Sequence, residues 1–447
     1  MKFMLIIGDG MADDPIPELD GKTPLEYAKT PTFDMLASAG VLGTVMTIPE
    51  GMQAGSDTAI LSIFGYDPRE CYTGRAPLEA AATGIKLSAG DVAYRCNMLS
   101  IEDGSMPFEE KKILSHSAGA IEGDESNALI IDLFNTPVFQ KAADKAGMSI
   151  YLGSSFRHIA VCRGGGLGDG SQEMGTVLLS CRQNDKTDEP SPCLVTDEPS
   201  PCLVPPHDHL NETLGQHLPH GNANAATLEE LIRLSHNILD KHPINIKRRL
   251  EGKLPANCIW FWAEGTAVEL PNFTKMCGKT GSVISAVPLC QGIGVLIGLE
   301  KIIVEGATGE LHTNYEGKVA AAIESLKTRD FTTVHIEAPD ECTHNGDLKG
   351  KLQAIEWVDS RVVAPLLEKL KESGTNFRML LMSDHRTLTA TRGHDSGLVP
   401  YVLYDSRVDE KTGLKFTEKE AEKGVAVGDA KKLMGLLFEI QNLDGED

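Results

Sequence analysis

Three aspartates each follow directly on an apolar, strand-like run: Asp9 after FMLIIG, Asp340 after TTVHIEAP and Asp384 after MLLMS. Histidines accompany two of them, His344 beyond Asp340 and His385 beside Asp384, with His394 further on in TRGHDSGLVP. Carboxylates and neutral imidazoles together suit divalent manganese, magnesium, zinc or cobalt, and this set supplies more ligands than one ion needs, so two divalent metal ions are expected. Taken singly, a strand-end aspartate is an ordinary helix cap or turn former. Three such positions in one chain point instead to a metal centre, because ligands of open α/β sheets gather outside the carboxyl ends of the strands.

Ser56, in EGMQAGSDTAILSIFGYDP, follows a glycine and stands just before a segment expected to be helical over 58–62. There the helix dipole and free N–H groups favour an oxyanion or phosphate, and a nearby metal would activate the hydroxyl as a nucleophile. The plainer alternative is that Ser56 or Asp57 caps the helix. Binding of an anion requires basic groups, and Arg75, Arg95, Arg157, Arg163 and the pair Arg248 and Arg249 are candidates, since guanidinium binds phosphate and carboxylate bidentately. His207, Asp208 and His209 resemble a metal triplet, but neighbours on an extended chain face opposite ways, so they are read as structural or substrate-adjacent.

The elements that must carry these groups alternate. The run 3–7 reads as a strand and 32–39 as a helix. After about 255, the strand-like runs NCIWFW, GSVISAVPL, KIIVEG, TTVHIEA, MLLMSD and VPYVLY return, with a helix-like segment over 349–371. The expectation is an α/β domain assembled from 1–75 and 255–447, interrupted by an inserted substrate-handling domain over 76–254. Inside the insert, TDEPSPCLV at 187–195 is repeated at 196–204, too short and polar to bury a core and read as an exposed loop lengthened by duplication.

The 447 residues carry 42 basic and 64 acidic side chains, a net charge of −22, which disfavours a nucleic-acid or an anionic-lipid partner and requires any small phosphorylated metabolite to meet a local reversal of charge. The apolar run at the start is too short for a signal-peptide core, and the apolar stretch 282–304 is broken by Pro288, Gln291 and Glu300, so no membrane span is expected. The ten cysteines form no Cys-x-x-Cys pair, as in reduced proteins, and a cytoplasmic location is expected.

With LIIGDGMAD, TPLEYAKTP, GSDTAILSIFGYDP, YTGRAPLEAAATGI, the PPHD and HPIN segments, VEGATGELHTNYEGK, HIEAPDECTHNGD and SDHRT in this order, the chain resembles the archaeal type of cofactor-independent (2,3-bisphosphoglycerate-independent) phosphoglycerate mutases, members of the alkaline phosphatase superfamily. The resemblance covers nearly the whole chain. It implies an alkaline-phosphatase-like α/β sheet flanked by helices, with an inserted second α+β domain. It also implies that Asp9, Ser56, Asp384 and His385 hold one metal, and Asp340, His344 and His394 the other. In the implied reaction, Ser56 takes the phosphoryl group from 3-phosphoglycerate and returns it to the other hydroxyl, giving 2-phosphoglycerate. Arg75, Arg157, Arg163 and Arg248 are expected to bind the substrate. The chain departs from the family's habit at Gln291, where a lysine is usual, and at His116 in SHSAGAIEG, where an Asp-Arg stretch is usual. It also has Ala263 after Trp262, where a glycine is usual. A bacterial branch with similar sequences implies a second reading, a homoserine kinase-like phosphotransferase using the same serine and dimetal site.

Overall fold

The apolar run near the start forms the strand Lys2–Gly8, buried from Phe3 onward. Burial on both faces is what a central parallel strand requires, and it explains the absence of polar alternation in this run. A computed structural model describes residues 1–164, 178–179, 202–221, 223–408 and 411–440. The chain forms two compact units, Met1–Tyr72 with Glu269–Asp447, and Thr73–Val268.

The first unit is built on an eight-stranded sheet. Its order is Glu300–Ile302, Gly281–Ile284, Phe331–Ile336, Lys2–Gly8, Phe377–Met382, Val399–Asp405, Val41–Val45 and Val425–Val427. Neighbours are parallel as far as Phe377–Met382, and Val399–Asp405 runs antiparallel to both of its partners. Met4 and Ile6 pack with Phe33 and Leu36 of the helix Pro31–Ala39 and with Ile355, Val358 and Val362. The helix expected over 349–371 runs as Leu348–Trp357, a π-helical stretch Val358–Val363, and Ala364–Glu372. Pro365 lies just past the π-helical stretch; its ring and missing N–H forbid the regular bond to the carbonyl of Arg361, and a wider turn absorbs the misfit.

The second unit carries a six-stranded sheet. Val92–Ile101 is its spine, flanked by Arg157–Cys162 and Cys258–Thr266, both antiparallel to it. Helices Gly123–Asn135, Pro137–Lys145 and Ala223–Leu239 contribute Leu129, Phe134, Phe139 and Leu231 to a core that includes Trp260. The fold is thus mixed α/β, with central sheets and flanking helices. One boundary differs from the expectation. NCIWFW, read as the return to the first domain at 255, belongs to the strand Cys258–Thr266, which pairs with Val92–Ile101 inside the second unit. Apolar patterning identifies a strand but does not name its partner. Most of the duplicated TDEPSPCLV segment, 187–201, lies outside the described residues.

Candidate functional site

The strands Phe331–Ile336, Lys2–Gly8 and Phe377–Met382 are adjacent and parallel, so their carboxyl ends emerge on one edge of the sheet. Asp9 and Asp384 stand just beyond two of these ends. Asp340 lies in the helix Ala338–His344 that follows the third, where four-residue spacing puts His344 on the same face. His344 Nε2 is 3.1 Å from Asp340 Oδ2. His394 comes from Gly393–Asp395, a short strand paired with Arg386–Leu388, and its Nε2 lies 3.4 Å from Asp340 Oδ1. His385 Nε2 is 3.3 Å from Asp9 Oδ1 and 3.4 Å from Asp384 Oδ2. Ser56 Oγ completes the set, 3.1 Å from His385 Nε2 and 3.4 Å from Asp9 Oδ2. The structure therefore brings together all seven residues expected at the metal centre.

Ser56 is the first residue of the helix Ser56–Ile63, with Gly55 in the cap position, so the serine does not serve as the cap. Its hydroxyl is left for other work. Asp57 instead accepts a hydrogen bond from the Tyr72 hydroxyl at 2.6 Å.

The electrostatics describe a site built to hold positive charge. Burial, reinforced by Asp384 and Asp340, pushes the Asp9 carboxyl well above its ordinary range. For Asp340, burial opposes ionisation, but hydrogen bonds from His344 and His394 prevail and hold it well below. Asp340 in turn raises His344 to about 9, while burial lowers His385 and keeps that imidazole neutral at physiological pH. Asp9 Oδ1 and Asp384 Oδ2 are buried without a hydrogen-bond partner, an arrangement that is costly unless a cation meets them. Asp9, Asp384 and His385 form one group with converging donor atoms, and Asp340, His385 and His394 a second, so the residues present fit divalent metal.

Several supporting residues escaped the sequence reading. His335 Nε2 lies 3.1 Å from Asp9 Oδ2, and its Nδ1 lies 3.1 Å from Ser285 Oγ. It sits inside the apolar run TTVHIEA, where it reads as strand filling; its one signal is that it is the only polar ring in a buried run. Thr387 donates to Asp340 Oδ1 at 2.6 Å, and buried Lys351 donates to Asp13 Oδ2 and to the Thr387 carbonyl. Gly10 has φ +62, and a Cβ there would come within 2.5 Å of Thr387 Oγ1 and 2.8 Å of Asp340 Oδ1, which is why the turn after the first strand needs glycine.

The second unit gathers cations. Arg75 opens the helix Arg75–Ala82 after Gly74, whose φ of +147 and approach to the Glu264 carbonyl exclude a side chain. The Arg95 guanidinium lies 4.6 Å from the Trp262 ring centre and pairs with buried Glu79. Arg157 lies 5.4 Å from the same ring and donates through Nε to Asn97 Oδ1 at 3.2 Å. Burial and the neighbouring Arg95 push Arg157 down to about 10, so it stays charged at neutral pH. Asn97 also accepts from the Trp262 indole N–H at 3.0 Å, fixing the ring on which the arginines rest. His116 and His207 border this cluster, their rings 5.8 Å apart, and burial lowers both below the ordinary imidazole value.

Two expected substrate arginines are corrected. Arg248 is buried and consumed by Glu125 and by the carbonyls of Leu254 and Ala118. Arg163 is held by Asp91 Oδ2 at 2.6 Å, by the Lys86 carbonyl and by the Tyr151 hydroxyl. A guanidinium with its donors committed in this way braces the fold. Gln291 likewise donates to the Ser285 carbonyl at 2.7 Å. His207 and His209 lie in a 3-10 helix, Pro206–His209, and not in an extended segment, yet they do part company: His207 packs 5.2 Å from Trp262, whereas His209 stacks on His217.

Fold and site together define a class: an α/β protein whose buried carboxylates and imidazoles surround a serine hydroxyl at a helix start. The chain belongs to the family of 2,3-bisphosphoglycerate-independent phosphoglycerate mutases. The family model of that description matches residues 37–245. A Methanosarcina acetivorans 2,3-bisphosphoglycerate-independent phosphoglycerate mutase is 41% identical over 442 residues, covering 98% of this chain and 100% of the relative. A solved Pyrococcus horikoshii protein superimposes with a TM-score of 0.75 at 29% identity, covering 100% of this chain and 98% of that one. The cofactor-independent phosphoglycerate mutase from Thermoplasma acidophilum shares the fold, with a TM-score of 0.58 at 23% identity over 99% of this chain and 100% of its own. Among the described residues, no helix is long and apolar enough to cross a membrane.

Proposed function

We propose that this protein interconverts 3-phosphoglycerate and 2-phosphoglycerate through a phosphoserine at Ser56, with two divalent metal ions. The observation that carries this reading is the placement of Ser56 Oγ, 3.1 Å from His385 Nε2 and 3.4 Å from Asp9 Oδ2, among carboxylate oxygens that lack partners. Asp9, Ser56, Asp384 and His385 would hold one ion and Asp340, His344 and His394 the other. Manganese, magnesium, zinc and cobalt all suit these donors. Such ions, when bound, neutralise the carboxylates, lower the proton affinity of the serine hydroxyl and offset the charge of a phosphoryl group.

Ser56 Oγ forms a bond to phosphorus as the bond from phosphorus to the glycerate oxygen breaks, and the serine proton passes to that departing oxygen. The reverse step at the adjacent glycerate hydroxyl restores Ser56. The dipole of the helix Ser56–Ile63 favours the negative charge gathered at its first residue. Neutral His385 faces the hydroxyl without a positive charge that would blunt its nucleophilicity. Arg75, Arg95 and Arg157 supply recognition of the substrate's anionic groups, two of them held over the Trp262 ring.

The test is an enolase-coupled assay of the metal-loaded protein with 3-phosphoglycerate, alongside mass spectrometry of the peptide containing Ser56. Flux together with a phosphate on Ser56 is expected. No flux with any of the four metals would overturn the mutase reading, and phosphohomoserine formation from homoserine and a phosphoryl donor would replace it with the kinase-like one.

A further inference from the structure

A second cluster of metal-ligand type lies in the other unit, in a segment the proposed reaction does not use. The 3-10 helices Pro206–His209 and Leu214–Gln216 flank a turn in which Asn211 has φ +67. This turn is fastened to its neighbours through backbone bonds: Asn211 N to Ile113 O at 2.8 Å, Ile113 N to Glu212 O at 3.1 Å and Leu214 N to Lys111 O at 2.8 Å. On that support, Glu212 Oε2 lies 3.3 Å from His209 Nδ1 and 2.7 Å from His217 Nε2. The two imidazoles are stacked, centroids 3.9 Å apart and planes 22° from parallel. All three donor atoms lie within 4.8 Å of one another.

We propose that His209, Glu212 and His217 form a binding site for a divalent cation of the zinc class, separate from the carboxylate cluster around Ser56. Two imidazoles and one carboxylate are a three-ligand set that zinc, nickel or cobalt completes with water, whereas magnesium and calcium require more oxygen. Metal–ligand bonds of ~2.0–2.1 Å place tetrahedral donors ~3.3 Å apart. The His209–Glu212 separation already has that value; to seat an ion, the His217–Glu212 contact opens by about half an ångström and the stacked His217 ring turns so that both imidazole planes meet at the metal. One cation on Glu212 Oε2 replaces two imidazole protons crowded onto the same oxygen. Because the donors come from one backbone-fastened turn, little ordering entropy opposes binding. His209 ends the same short helix that sets His207 against Trp262, so a bound ion ties down the element that carries His207 to the arginine cluster.

The experiment uses the full chain after chelation, carrying Asp340→Asn and Asp384→Asn to silence the carboxylate cluster. Zinc is titrated against a chromophoric indicator, and cobalt by its visible absorption. One equivalent of zinc bound at micromolar or better affinity, with a tetrahedral cobalt spectrum, is expected. Adding His217→Ala or His209→Gln should weaken binding by more than ~100-fold, beyond what loss of an outer partner costs. No bound equivalent, or binding indifferent to both substitutions, overturns the proposal. A measurement on the unsubstituted chain guards against misfolded variants: zinc should protect His209 and His217, but not exposed His312, from histidine acylation read by peptide mapping. Equal labelling with and without zinc also overturns it. Neither readout depends on mutase activity, so this proposal and the mutase reading fail separately.

Discussion

The two units concentrate opposite charges and tolerate them by different means. In the first, Asp9, Asp340 and Asp384 are almost fully buried at the edge of a mostly parallel sheet, and the strain shows in Asp9, which resists ionisation beside its neighbours. In the second, Arg75, Arg95 and Arg157 crowd together, but Glu79 offsets part of their charge and two of the guanidinium groups lie over the Trp262 ring. The acid cluster is relieved only in part: His344 and His394 hold Asp340 ionised, whereas Asp9 Oδ1 and Asp384 Oδ2 are buried without a hydrogen-bond partner. The difference is what the proposed function uses: it completes the carboxylates with cations and the arginines with an anion.

Five substitutions and one pH series would break or sharpen this contrast. The largest effect is expected from Ser56→Ala, which should lower mutase flux by at least ~10³-fold and abolish the phosphopeptide while leaving metal affinity within about tenfold. Arg157→Met should raise KM for phosphoglycerate by ~10–100-fold through loss of a charge-assisted contact, with metal binding unchanged in calorimetry; a matching loss of metal affinity would erase the division of labour between the clusters. His335→Gln should weaken metal binding by ~10-fold, because Asp9 loses its orienting partner.

The pH series concerns the metal-free protein. Asp340 raises His344 from an ordinary 6.5 to about 9 in the folded chain, so this pair stabilises the fold fully below pH 6.5 and its contribution is lost as pH rises through about 9. The melting temperature should fall across that window, and His344→Ala should flatten the fall. The smallest effect is expected at Ala263, which adopts φ +53 where the strand Cys258–Thr266 slips register against Val92–Ile101. Ala263→Gly should stabilise the chain by ~1 kcal/mol, measured by urea unfolding, because only glycine adopts that conformation without strain.

The acid cluster was far more legible in the sequence than the arginine cluster. Asp9, Asp340 and Asp384 each follow an apolar run, and that local signal survives folding because parallel strands deliver their ends to one edge. Arginine carries no such marker. Arg157 and Arg248 look alike along the chain, yet one rests on Trp262 and the other is consumed by Glu125 and two carbonyls. His335 was hidden for the opposite reason: it lies in a buried strand whose apolar neighbours conceal it.

By itself, the sequence determined which donors exist, that Ser56 stands at the start of a helical segment, and where six of the eight strands of the first sheet run, because these follow from residue type and short-range periodicity. Tertiary structure decided which strand pairs with Val92–Ile101, which guanidinium groups are consumed by the fold, and that His335 faces Asp9. Those outcomes rest on hydrogen-bond partners remote in the chain, and only the packed structure selects them.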